Sequence, residues 1–167
     1  MSAITIGSAV SDRTGSGWMA QTILESTPAS GTGTITSISI WAHDNMTGLR
    51  VGTFYHTTGS NYKCRASASI GAVVAGAKRD FAVSIAVVAG DLIGFYFDTG
   101  SIERTEGGGG ADERRYANDT GYAIDPGDEV TYNTMTGYVC SLGGIGATPG
   151  GPAPGSMAAV MGALGVL

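Results

Sequence analysis

The residue types that carry hydrolytic or acid–base chemistry are few in this sequence. His43 and His56 are its two histidines, and no Gly-x-Ser-x-Gly pattern presents a serine nucleophile. His43 precedes Asp44 in a stretch typical of a turn, and His56 ends a predicted strand, so a solvated loop and a satisfied strand edge are the preferred interpretations. The pattern predicts that the protein is not an enzyme.

The sequence also offers few residues that could bind a metal ion or a phosphate group. Asp125, Asp128 and Glu129 place three carboxylates in one turn, which could supply some of the oxygens that Ca²⁺ requires. Asp-Pro-Gly is equally ordinary turn chemistry, and that is the interpretation we prefer. The glycines at 107–110 are not followed by the Lys-Ser/Thr of a phosphate loop. We predict no metal and no cofactor.

Cys64 and Cys140 are the only cysteines, and both lie in strand-like runs. The preferred interpretation is two buried thiols that act as small hydrophobic residues. A disulfide between them is the first alternative, and a metal pair is a weaker one because no histidine or third cysteine lies at ligand spacing.

The composition argues against nucleic acid as a binding partner and against a span across a lipid bilayer. The net charge of -5 argues against binding nucleic acid through its phosphates, which needs a basic face. The N-terminal residues show no basic and apolar signal-peptide pattern, and no apolar run reaches the roughly 20 residues that span a bilayer. We therefore predict synthesis in a cytoplasm and no membrane span.

The elements that would position any site are strands. Residues 79–98 contain two apolar runs with period-two alternation, separated by Ala89-Gly90-Asp91, and they predict a hairpin with Phe95 in the core. Similar runs recur every 8 to 14 residues between glycine-rich turns. This spacing predicts an all-β protein, an antiparallel sandwich or barrel of about eight to ten strands, with a jelly roll as the first choice.

Two segments break the strand pattern. Residues 106–115 contain four consecutive glycines among charged residues and are predicted to form a loop. This loop is either solvated and mobile or an exposed contact loop. In the second case, the contact residues would be Glu106, Asp112, Arg114 and Arg115.

The C-terminal region is the second exception. Residues 143–155 are rich in Gly and Pro and predict a linker, so the sandwich domain is assigned to residues 1–142. Residues 156–167 are apolar and uncharged. We expect this arm to contact another copy of the chain or a partner protein, although packing on its own sandwich remains the alternative. A short helical stripe would present Met157, Val160, Met161 and Leu164.

A resemblance adds to this interpretation. The runs GTITSISIWAHDNMTGLRVGTFYHTTGSNYKCRASASIG and AGDLIGFYFDTGSIER resemble those of β-rich proteins from tailed bacteriophages, prophages and environmental viral sequences. The likeness covers about residues 4–104 and stops before the charged glycine-rich segment. It implies a structural protein of a virion, such as a capsid decoration, head-fibre or tail-associated protein, that assembles with copies of itself and with other virion proteins.

A carbohydrate-binding module is the alternative function. The AGD turn is similar to those of jelly rolls of the tumour-necrosis-factor and carbohydrate-binding kind, and exposed aromatic rings could form a platform for surface glycans. The aromatic residues that could serve are Trp18, Trp41, Tyr55, Tyr62, Tyr116 and Tyr122. Because a sandwich must also fill its core with aromatics, core packing is the preferred role for them.

Overall fold

The computed structural model describes residues 1–17, 20–108, 112–116 and 121–150. Within these ranges the chain is all-β and antiparallel, as predicted, and no helix is long or apolar enough to cross a membrane. The twelve strands are β1 (Ala3–Gly7), β2 (Gly15–Gly17), β3 (Ile23–Glu25), β4 (Gly33–His56), β5 (Asn61–Val73), β6 (Lys78–Val87), β7 (Leu92–Tyr96), β8 (Thr99–Thr105), β9 (Asp112–Tyr116), β10 (Glu129–Thr136), β11 (Val139–Cys140) and β12 (Leu142–Ala147).

The long strand β4 organises the fold because it takes part in three sheets in succession. Its first third lies between β12 and β6, with β1 beyond β12, and forms sheet 1. Its middle pairs with β8, which also pairs with β2 and β11, to form sheet 2. Its last third pairs with both β5 and β7 in sheet 3. Register shifts between these sections allow the strand to bend from one sheet into the next.

Sheet 3 closes on itself. The pairing runs β4–β5–β10–β9–β3–β7 and returns to β4, so six strands form a ring. Its interior is a separate core built from Leu24, Phe54, Cys64, Leu92, Ile124 and Tyr132. A ring this narrow is filled by side chains alone.

The larger core lies between sheet 1 and the outside of the ring. The inner face of sheet 1 contributes Ile35 and Ile85, which lie opposite each other on β4 and β6, and Ile4, which lies in the same row on the far side of Gly146. The ring contributes Val51 and Phe95 from the opposite layer. This packing of one sheet over another is consistent with the predicted sandwich, while the jelly-roll topology stays a prediction.

The predicted hairpin at 79–98 is wrong in its pairing, although both strands exist. β6 pairs with the start of β4 and β7 with its end, so the turn between them carries the chain from sheet 1 to sheet 3. Asp91 holds this turn: its buried carboxylate accepts a hydrogen bond from Val88 N and a bidentate pair from Arg65, with Nε at 2.6 Å and Nη2 at 3.0 Å. Phe95 is fully buried, as predicted.

The predicted start of the C-terminal arm at Gly143 is also wrong. Residues 142–147 form β12, which lies between β1 and β4 in the middle of sheet 1. Glycine allows close packing there: a Cβ at Gly144 would lie 3.0 to 3.1 Å from the side chains of Ile38, Ile35 and Ile6, which would have to shift slightly. The glycine-rich run 142–147 is therefore a strand packed beneath isoleucines, and the prediction of a linker there is wrong.

Candidate functional site

The predicted contact loop is only partly a loop. Glu106 is exposed, but Asp112 and Arg114 are half-buried in β9, which pairs with β10 and β3 inside sheet 3. The backbone of Arg115 belongs to the same strand, and its side chain lies outside the described part of the chain. The predicted arm residues Met157, Val160, Met161 and Leu164 also lie outside it.

The strongest concentration of reactive groups is internal, and the sequence did not predict it. Glu25, Glu113 and Cys140 are all fully buried, and one ligand-type atom of each lies within 4.8 Å of the others. β3 and β9 bring the two glutamates opposite each other in register, and β11 supplies the cysteine. We call these three residues the carboxylate cluster.

Hydrogen bonds bind the carboxylate cluster to the chain around it. Ser8 Oγ donates to Glu25 Oε2 at 2.5 Å, and the backbone N–H of Cys140 donates to Glu25 Oε1 at 2.9 Å. The Cys140 thiol donates to Glu113 Oε2 at 3.2 Å. The cluster thus ties together β3, β9, β11 and the segment after β1.

Burial changes the acidity of these groups. Loss of hydration raises the pKa of Glu25 to about 7, and the neighbouring carboxylate of Glu113 adds to the effect. Burial likewise raises the pKa of the Cys140 thiol well above its ordinary value, again with Glu113 and Glu25 contributing. Cys140 is therefore a thiol and not a nucleophilic thiolate.

Arg104 is the cation beside the cluster. Its Nη1 lies 3.6 Å from Glu113 Oε1, and its guanidinium stacks 4.9 Å from the ring centre of Tyr138. A Cβ on Gly17 would come within 3.0 Å of Nη1, so glycine on β2 leaves the space that the guanidinium occupies. Arg104 is paired directly with Cys140 across β8 and β11.

The opposite face of β8 carries a second polar group, the Glu103 network. Glu103 Oε2 accepts the backbone N–H of Arg13 at 2.9 Å, and Oε1 contacts His43 Nδ1 at 2.7 Å. The Arg13 side chain continues to Ser141 Oγ, Thr105 Oγ1 and the carbonyl of Ala9. The hydrogen bond to Glu103 raises the pKa of His43, which is 48% exposed at the side chain.

The arrangement can store a proton more readily than it can act on a substrate. The carboxylate cluster is sealed from solvent, and each of its three ligand-type groups is already hydrogen-bonded within the protein. His43 and Glu103 form an oriented imidazole–carboxylate pair, the arrangement that positions a general base. The hydroxyl of the nearby Ser141, however, donates to the carbonyl of Ser11 and accepts from Arg13.

The other sequence candidates behave as turn and core residues. Asp125 N donates to Asp128 Oδ2 at 3.0 Å, and Asp125 Oδ1 accepts from Arg50 Nη1 at 2.6 Å, so the acidic turn is held by its own hydrogen bonds. Cys64 and Cys140 are free, buried thiols, which confirms the preferred interpretation of the two cysteines. Burial raises the pKa of the Cys64 thiol to about 12. The alternative of a disulfide between them is wrong.

Comparisons with protein-family models, curated proteins and solved structures found no match. The resemblance to phage proteins therefore stays a prediction.

Sequence reasoning missed the carboxylate cluster because its members lie far apart in the chain. The available signal was local: Glu25 completes the otherwise apolar strand Ile23-Leu24-Glu25, and all three residues are buried. An acid at the end of so short an apolar run indicates a polar partner inside the fold.

Proposed function

We propose that this protein is a non-enzymatic structural protein of a virus particle that assembles through the outer face of sheet 1. The observation that carries the proposal is the character of that face. Along one row, Thr5, Ile145, Ser37 and Ala82 lie side by side on four strands. Thr5, Ser37 and Ala82 are small or polar, whereas Ile145 is a large apolar residue whose side chain is exposed (60%).

A groove lies next to this isoleucine. It has a volume of about 260 Å³, and its lining residues are Thr5, Ile6, Gly7, Ser8, Ala9, Val10, Ser39, Lys78, Gly143, Gly144 and Ile145. Gly143 has no side chain, and the carbonyl oxygen of Ser8 lies 2.6 Å from where its Cβ would be, so backbone atoms form this part of the groove. An apolar side chain from outside could enter it.

The exposed side chain of Ile145 and the groove beside it lie on the same face, so this face is complementary to itself. Under a two-fold axis, Ile145 of each copy would enter the groove of the other, which is the isologous geometry most common in homo-oligomers. The partner we propose is therefore a second copy of this chain. The C-terminal arm, with Met157, Val160, Met161 and Leu164, is proposed as the link to further virion proteins.

Sedimentation of point variants tests the face. Ile145→Asp should convert assembled protein to monomer without lowering the melting temperature by more than about two degrees, because an exposed side chain contributes little to folding. Val74→Asp is the matched control, since Val74 is 61% exposed but lies in the turn after β5. A wild-type protein that is monomeric at all concentrations would contradict the proposal.

Imaging of the native source tests the virion role separately. Antibody labelling in electron micrographs should place the protein on particles or filaments, and protein found only in the free soluble fraction would exclude that role. Deleting residues 156–167 should leave a folded sandwich that no longer joins particles.

Carbohydrate binding is a second candidate because of one exposed aromatic residue. Tyr122 is 43% exposed, its hydroxyl donates to Asp125 Oδ1 at 2.9 Å, and Arg50 lies 5.4 Å from its ring centre. Tyr96 contacts the same ring edge-to-face, at an interplanar angle of 82°, so the two rings do not form one flat platform. Loss of binding to a glycan array in Tyr122→Ala would support this role; an array with no wild-type signal would exclude it.

A further inference from the structure

The carboxylate cluster brings two acids together in the interior of the protein. Two glutamates with no exposed surface face each other across β3 and β9, and Arg104 Nη1 lies 3.6 Å from Glu113 Oε1. Arg104 is also shared with the exposed Glu106, at 2.5 Å. Two buried carboxylates that face each other repel strongly when both are ionised, which favours retention of one proton inside the fold.

The geometry singles out Glu25 as the group that retains it. The carboxyl of Glu25 contacts a hydroxyl, Ser8 Oγ, which can either donate to a carboxylate or accept from a carboxylic acid. The other Glu25 oxygen accepts from Cys140 N and needs no change. Glu113, in contrast, has both the guanidinium of Arg104 and the Cys140 thiol directed at it.

We propose that the carboxylate cluster is a proton-operated latch, which holds β3, β9, β11 and the segment at Ser8 together when Glu25 is protonated and loosens them when Glu25 ionises. Protonated, Glu25 donates to Ser8 and accepts from Cys140, so every group in the cluster is hydrogen-bonded. Ionised, it places a second buried charge beside Glu113. Loosening would start at the end of the ring where β3 and β9 meet.

The direction of the pH dependence follows from linkage. Burial raises the pKa of Glu25 in the folded protein to about 7, from a usual value of 4.5. Between these values the unfolded chain releases the proton and the folded protein keeps it, so stability falls as the pH rises. The interval corresponds to a rise of roughly 300-fold in the unfolding equilibrium constant, complete above neutral pH.

Other titrating groups must be separated from Glu25. Those facing it are Glu113 from β9 and Cys140 from β11, with Arg104 from β8 acting on both. On the opposite face of β8, His43 has a raised pKa because of Glu103, and it also favours folding at low pH. The two contributions share a sign, so His43 must be removed in a control.

Urea unfolding of the full chain at pH 5 and pH 8 is the first test. The unfolding constant of the wild type should rise by about 70-fold over this range, and Glu25→Gln should remove most of that rise. Glu106→Gln, which alters an exposed glutamate beside the same arginine, and His43→Gln should both retain it. Retention of the full rise in Glu25→Gln, or its loss in His43→Gln, would overturn the proposal.

Two measurements on the wild type remain decisive if Glu25→Gln fails to fold. A ¹³C NMR titration of the glutamate side chains should show one carboxyl that titrates near neutral pH, and titration of all of them below about pH 5 would overturn the proposal. Hydrogen exchange should show faster opening of the Cys140 amide, which donates to Glu25, at pH 8 than at pH 5 after correction for intrinsic rates. Equal opening would refute the latch.

Discussion

Two neighbouring regions on the same side of β3 are built in opposite ways. Ile23 packs into the large core, where Phe95 stacks on Phe97 with ring centres 6.0 Å apart. Two residues later, Glu25 is just as completely buried but faces another carboxyl and a thiol. The first region is stabilised by removal of apolar surface from water, the second by hydrogen bonds between buried polar groups.

The difference indicates which region of the fold should keep its stability when the pH changes and which region should not. Apolar burial around Phe95 does not depend on pH, so that region should stay closed wherever the protein folds. The region around Glu25 depends on a proton and includes the ion pair of Arg104 with Glu113. The comparison therefore predicts local opening at one end of the ring while the opposite layer stays intact.

The largest expected effect is at the apolar region. Phe95→Ala should lower the free energy of unfolding by about 3–5 kcal/mol, because a fully buried ring is lost and its stacking partner Phe97 is left beside a cavity. Urea denaturation at pH 5 and pH 8 should give the same loss. A loss that changes with pH would mean that the two regions are not independent.

The next effect is at Arg104. Arg104→Met should cost about 3 kcal/mol, since it leaves Glu113 buried without its cation and removes the stacking on Tyr138. Thermal melting measures it, and Arg79→Met, which removes an exposed arginine of β6, is the control. Equal melting temperatures for the two variants would show that the Glu113 charge is compensated elsewhere.

The sequence predicted the first region far better than the second. Alternation in β6 and β7 indicated which residues are buried, because a side-chain period of two follows directly from strand geometry. Pairing was not predictable in this way: β4 continues through His43 and Asp44, where the sequence predicts a turn, and joins three sheets, which depends on contacts distant in sequence. The cluster brings together Glu25, Glu113 and Cys140, and no local pattern connects positions so far apart.

A smaller effect is expected inside the ring, and it tests the ring closure. In Gly94→Ala, the new Cβ would lie 2.4 Å from Leu24 Cδ2 and 2.6 Å from Phe54 Cε2, so both side chains would have to shift. Overpacking of this kind costs about 1–3 kcal/mol. Gly76→Ala, in a turn with no atom within 4 Å of a new Cβ, is a control for added volume but carries backbone strain at its positive φ. Unchanged stability of Gly94→Ala would mean that the ring is wider than described.

The smallest effect is expected at His43, which tests whether the Glu103 network shares the pH sensitivity of Glu25. The imidazole is half exposed, so its pair with Glu103 is screened by water and should contribute less than about 1 kcal/mol. Because its folded pKa is raised, this contribution is fully present below the unfolded value of 6.5 and is lost as the pH rises through the folded value. His43→Gln should therefore lower the melting temperature slightly at pH 5 and leave it unchanged at pH 8. A larger loss at pH 8 would contradict this, since it would mean that His43 stabilises Glu103 mainly as a neutral hydrogen-bond donor.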